Sequence, residues 1–142
     1  MTIPATADRV VPALRQALEP CEHVRLAVLF GSQARGRARP DSDVDILLSL
    51  EPDDREVSRA VDTAIMDAVG ANVHIVHADK APPLLRLEIA RHGVVLKEAR
   101  QGDWVAFKRK AMLDWWDWAP LARRIESAAI QRLRDEVARG RS

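Results

Sequence analysis

Asp43 and Asp45 stand two residues apart, with Val44 between them and Ile46 after, and follow the pair Gly31-Ser32 by ten intervening residues. On a β-strand that alternation sends both carboxylates off one face while Val44 and Ile46 go to the core. Two hard oxygen donors then share one place. Magnesium accepts such donors together with phosphate oxygens, and two-metal sites of this kind clamp the attacking and leaving oxygens of phosphoryl or nucleotidyl transfer. Asp43 and Asp45 are therefore the candidate metal ligands and catalytic acids. Gly31 allows backbone to approach a ligand closely, and if Ser32 opens a short helix, its amide and hydroxyl face a phosphate chain. Arg35, Arg37 and Arg39 place positive charge on the same loop, where one or two could neutralise a departing pyrophosphate.

Other readings of these residues fail on spacing. Gly31 and Gly36 are separated as in a phosphate-binding P-loop, but Arg37-Ala38 occupies the positions that require Lys and Ser or Thr. Asp41, Asp43 and Asp45 imitate the start of a calcium-binding EF-hand, yet Ile46 replaces its turn glycine and Pro52 its bidentate Glu. A solvated acidic strand edge balanced by three arginines is the remaining bland alternative.

The elements that position this loop follow from periodicity. Asp8 is expected to cap a helix carrying Val10, Val11, Leu14 and Leu18, ending before Pro20, with Pro12 tolerated near its first turn. Val24 to Phe30 reads as a buried strand, and a second strand runs from about Asp43 to Leu50, the two forming a hairpin-like pair. Glu51-Pro52-Asp53-Asp54 starts a helix whose Val57, Val61, Ile65, Ala68 and Val69 repeat until Gly70. Asn72 to His77 is a third strand, Pro82-Pro83 opens a helix to about Arg91, and Gly93 to Lys97 is a fourth strand. Trp104, Phe107, Ala111, Met112, Trp115 and Trp118 then mark a helical stripe, which Leu121, Ile125, Ala129 and Leu133 extend beyond Pro120. Trp116 falls off that stripe, as a residue reserved for a partner would. Strands alternating with helices give an α/β (α+β) fold, a small mixed sheet flanked by helices.

Composition removes several classes of function. The 142 residues fit one ordinary domain and leave no room for a separate substrate domain. That weakens transfer to a small molecule such as an aminoglycoside. The 22 basic and 21 acidic residues nearly cancel, so charge gives no argument for nucleic acid as a partner, and none is expected. Residues 119–142 carry six arginines against Glu126, Asp135 and Glu136, the ordinary pattern of a solvated helix. Cys21 is the single cysteine, which excludes an internal disulfide and a thiolate metal cluster and assigns it to packing. With no signal peptide and no apolar run long enough to span a bilayer, a cytoplasmic setting without membrane contact is expected.

Gly31-Ser32, ten residues, then Asp43-Val44-Asp45 resembles the signature of the minimal nucleotidyltransferase family of the DNA polymerase beta superfamily, and Gly31-Ser32-Gln33-Ala34-Arg35-Gly36 matches it too. The likeness continues through Ala81-Pro82-Pro83-Leu84-Leu85-Arg86 and Gly93-Val94-Val95-Leu96. It implies a nucleotidyltransferase domain over residues 1–100 and a helical C-terminal extension, 101–142, packed on the same domain. It also implies Asp43 and Asp45 as ligands of Mg2+, and Gly31, Ser32 and Arg35 as the residues that hold ATP. Members of this length are similar to antitoxins paired with HEPN-domain toxins, which implies transfer of AMP from ATP to a toxin tyrosine. This sequence departs from the family's pattern at one place: His74 occupies the position of a third carboxylate, and His77 the other position where an acid is frequent. Imidazole is a poor magnesium ligand beside oxygen donors, but a neutral one could accept a hydroxyl proton. His74 is thus a candidate base, with Asp79 and Glu88 as alternative acids. The same departure leaves open a catalytically impaired domain that neutralises the toxin by binding alone.

Overall fold

The computed structural model describes residues 7–34, 36, 43–70 and 72–140. Its elements are α1 (Ala7–Leu18), β1 (Val24–Phe30), β2 (Val44–Leu50), α2 (Arg55–Val69), β3 (Val73–His77), α3 (Pro83–His92), β4 (Val94–Glu98) and α4 (Asp103–Gly140), with a single 3-10 turn at Ala78–Lys80. The four strands form one sheet in the order β3-β2-β1-β4. β1 is antiparallel to both β2 and β4, while β2 and β3 run parallel, so the sheet is mixed. The chain continues past the sheet into a long helix.

Both faces of the sheet are covered, which explains why β1 is apolar at nearly every position. On one face Val24, Ala27 and Leu29 of β1 and Val44, Ile46 and Leu48 of β2 meet Val10, Leu14 and Leu18 of α1 and Val61 and Ile65 of α2. On the other, Leu26, Val28 and Leu47 meet Ile89 and Leu85 of α3 and Trp104 and Phe107 of α4. Residues alternate between faces along a strand, so Asp45, two before Leu47, belongs to the α3 and α4 face.

Helix ends are fixed by side chains the sequence supplies. Asp54 caps α2 by accepting the Val57 amide at 2.9 Å, and Gly70 closes it in the left-handed region at φ 56°. α1 begins at Ala7, which puts Asp8 inside the helix rather than at its cap. The end of α1 is satisfied from across the fold: Lys97 Nζ donates to the carbonyls of Leu18, Glu19 and Cys21 at 3.0, 3.1 and 2.7 Å. Cys21 packs half-buried against the first core and donates its thiol to the Ala17 carbonyl.

Helix α4 runs unbroken through Pro120. Only its first half meets the body of the protein, where Trp104 stacks on Phe107 at 5.7 Å and Arg86 of α3 pairs with Asp114 at 2.8 Å. Ala111 and Ala119 are buried there, whereas Met112, counted in the stripe by spacing, is exposed. Beyond Ala122 every described residue of the helix is exposed.

Candidate active site

β1 ends where β2 begins, and the two strands bring the glycine loop onto the aspartates. Phe30, the last residue of β1, pairs with Asp45, and the chain then turns at Gly31 with φ 76°. A Cβ on Gly31 would overlap Asp45 Oδ2. The Asp45 carboxylate therefore lies directly on the glycine backbone, in space that any side chain would fill. Asp43 is exposed just ahead of β2, and Val44 and Ile46 are fully buried on the opposite face, as the two-residue period requires.

Asp45 is electrostatically strained. Burial pushes its carboxyl above the ordinary 3.8, the hydrogen bond and charge of His74 oppose the shift, and the negative charge of Asp43 adds to it. His74 reaches it because β3 lies parallel to β2 with His74 directly beside Asp45. Its Nδ1 is 3.4 Å from Asp45 Oδ1, and its side chain is 68% exposed against 24% for Asp45. One imidazole edge thus touches the carboxylate while the ring faces solvent.

The remaining candidates distribute differently. Ser32 follows Gly31 in a half-buried hydrogen-bonded turn, and no helix starts there, so any phosphate contact from Ser32 comes from a turn. Arg35, Arg37, Arg39 and Asp41 lie outside the described residues. His77 is three residues from His74 on β3 and so points to the other face, where Nδ1 is 3.5 Å from Asp53 and Nε2 is 3.3 Å from the Ser58 hydroxyl. It is held apart from Asp43 and Asp45. Asp79 opens instead onto a cleft of about 720 Å³ between α3 and α4, shared with Arg86, Phe107, Lys110 and Trp118. That cleft is not lined by Asp43, Asp45 or His74, and the convergence of charged groups around Gly31 is the better guide to chemistry. Glu88 sits half-buried on α3.

Sequence reasoning passed over Gln33. It is the one fully buried polar residue among those described, and its carbonyl accepts the Gly36 amide at 3.4 Å to close the turn. A polar residue in a loop rich in Gly, Ser and Arg carries no periodic signal of burial.

A family model described as Polymerase beta, Nucleotidyltransferase matches residues 13–101. The chain belongs to the polymerase beta nucleotidyltransferase family. Solved structures agree in fold with this nucleotidyltransferase. A toxin-antitoxin with AMP-PNP superposes with a TM-score of 0.70 at 20% identity, covering 84% of this chain and 98% of that one. An MNT antitoxin in complex with the tri-AMPylated HEPN toxin of Shewanella oneidensis gives 0.67 at 18%, covering 88% and 99%. A candidate minimal nucleotidyltransferase gives 0.55 at 28%, covering 63% and 95%. No curated protein matches the chain.

The donor set of the nucleotidyltransferase suits a hard cation. Two carboxylates share one face, and the more buried one is held above its ordinary pKa, a strain that a bound cation would relieve. Asp43 and Asp45 are the residues that would hold such a cation. His74 offers an imidazole nitrogen beside Asp45 rather than a hard oxygen. No helix among the described residues is long and apolar enough to cross a membrane.

Proposed function

We propose that this nucleotidyltransferase is an antitoxin that transfers AMP from ATP to a hydroxyl, that of a tyrosine side chain, on a HEPN toxin partner. The observation that carries the reading is the seating of Asp45 against Gly31 with Asp43 beside it, an arrangement that gathers negative charge where a nucleotide's phosphates would need a cation. The solved relative in complex with a tri-AMPylated HEPN toxin supports a toxin as the partner that receives AMP, by analogy, the relative with AMP-PNP supports the nucleotide, and the tyrosine rests on the family resemblance alone.

In this reading Asp43 and Asp45 hold magnesium, which when bound would withdraw charge from the phosphates. Gly31 leaves room for the Asp45 carboxylate and offers its backbone to the nucleotide, Ser32 donates to the phosphates, and Arg35 adds positive charge. The acceptor oxygen attacks the α-phosphorus, a new P–O bond forms, and the bond to pyrophosphate breaks with its electron pair on the leaving group. His74 faces solvent at the mouth of the site and takes the acceptor proton. Residues 1–100 make the catalytic unit, and residues 101–142 the helical extension that meets the partner.

One observation favours a second reading. Imidazole in place of a hard oxygen beside Asp45 suits a domain that has lost transfer and silences the toxin by binding alone. Intact mass spectrometry of the toxin after incubation with ATP and magnesium separates the two. AMP mass should appear with the wild-type chain, vanish with Asp43→Asn or Asp45→Asn, and accumulate about 10²–10⁴-fold more slowly with His74→Ala. A toxin that stays unmodified yet inhibited with every variant would leave the binding reading in possession.

A further inference from the structure

Gln33 is fully buried, polar, and part of the turn that carries Gly31 and Ser32. It stands beside Leu29 and Ile46 among the largest side chains shut off from solvent. A carboxamide costs free energy to bury unless it is hydrogen-bonded, whereas an apolar side chain of the same length would carry no such cost. Buried polar groups are held in place by the bonds they make. A side chain with no exposed surface also cannot touch a nucleotide. Whatever Gln33 does for the site, it does through the backbone on either side of it.

That backbone leads directly to the aspartates. Gly31, two residues earlier, turns at φ 76° against Asp45 Oδ2, and Ser32 between them is half-buried. On the other side Ala34 packs against the first core, and the Gln33 backbone carbonyl accepts the Gly36 amide at 3.4 Å, with Gly36 exposed at φ 68°. Gln33 and Ala34 are thus the inward-facing pair between two glycines at positive φ. Glycine loses more conformational freedom on ordering than any other residue, so a turn bounded by two of them keeps one shape only if something between them is fixed.

We propose that Gln33 is the positioning residue of this turn, its buried carboxamide fixing Gly31 and Ser32 where the nucleotide's phosphates meet them. Contacts to a ligand are precise only when the residues that make them are locked from behind. The inference rests on the reading of Gly31 and Ser32 as nucleotide contacts and names what holds them.

Two measurements on the full chain test it, one with nucleotide and one without. Gln33→Met keeps the side chain's length and removes the amide, and Gln33→Leu does the same with a stiffer side chain. In calorimetry with AMP-PNP and magnesium, both variants should weaken Kd about tenfold, the loss expected from one displaced hydrogen bond. The transfer rate at saturating ATP should stay within about threefold of wild type, because Asp43 and Asp45 are placed by β2 rather than by the turn. In hydrogen exchange without nucleotide, the Gly36 amide should exchange at least about tenfold faster in the variants, while the amides of β1 keep the wild-type rate. Unchanged Kd with unchanged Gly36 exchange would overturn the inference. So would exchange that quickens equally throughout β1, or unfolding of both variants, since either assigns Gln33 to the core at large. A wild-type chain that binds no AMP-PNP would sink the nucleotide reading instead, and Gly36 exchange would then decide alone whether Gln33 holds the turn.

Discussion

Gly31 has less freedom than any other residue around the two aspartates. Its φ of 76° disfavours every L side chain, and the space a Cβ would take is already held by Asp45 Oδ2. Gly31→Ala must therefore strain the turn or displace the carboxylate from its place beside Asp43. Transfer should fall by at least about 10²-fold, since misplacement of a ligand by about 1 Å costs that much, while the melting temperature drops only modestly. Asp45 has a different signature. Burial, reinforced by Asp43 and opposed by His74, raises its folded pKa above the ordinary 3.8. A raised carboxyl pKa contributes stability that is present in acid and lost as pH rises through the folded value. Asp45→Asn should match the wild type near about pH 4 and become the more stable of the two as the pH climbs towards neutrality, in the absence of metal, while losing transfer. Melting curves of both proteins across that range check the sign, and a wild type that gains on the variant with rising pH would contradict it. The aspartate pair was legible in the sequence because strand alternation is local. The approach of His74 to Asp45 was not, because it depends on a parallel register between strands more than twenty residues apart.

Elements were legible to within a residue or two wherever a punctuating residue marked the end, as Gly70 does for α2 and Pro83 for α3. What the sequence did not reveal is how the elements close one another's ends. Lys97 on β4 donates to three carbonyls at the end of α1, a contact across nearly eighty residues that only the sheet order creates. The Leu18 and Cys21 carbonyls each accept one backbone amide, at 3.0 and 3.2 Å, and the partly buried ammonium adds a charge-assisted bond to each of the three. Lys97→Ala should destabilise the fold by about 2 kcal/mol, the range for hydrogen bonds to a charged donor, with transfer preserved at temperatures where the chain is folded. Urea unfolding gives the value. An effect within about 0.5 kcal/mol, typical of ordinary surface sites, would mean that water replaces the ammonium at no cost. Cover by a neighbouring element explains why spacing alone misjudged Met112: the stripe of α4 is core only where it faces the body, as at Ala111, and the exposed half repeats the pattern with no described element over it.

The molecule as a whole leaves an apolar face of α4 open to solvent beside its body. Near the body, Val105, Met112 and Trp116 recur at seven and four residues and are exposed by 62, 46 and 64%. A tryptophan held in solvent on a rigid helix suits a binding anchor, which buries a large apolar area at little entropic cost. Trp104, Trp115 and Trp118 are half-buried and pack with aromatic neighbours, so they answer to folding, whereas Trp116 does not. Trp116→Ala should leave the melting temperature within about 2 °C of wild type, as expected of a surface change. It should nevertheless weaken toxin binding by at least about 1 kcal/mol, roughly fivefold in Kd. Calorimetric titration of the toxin into both proteins reads the difference, and equal affinities would return this face of α4 to a solvated role. Transfer at saturating toxin should be unchanged in the variant, because Trp116 lies outside the group formed by Gly31, Asp43, Asp45 and His74. A fall in the saturated rate would instead mean that docking on α4 also aligns the acceptor hydroxyl, tying the helix to the chemistry through orientation rather than affinity.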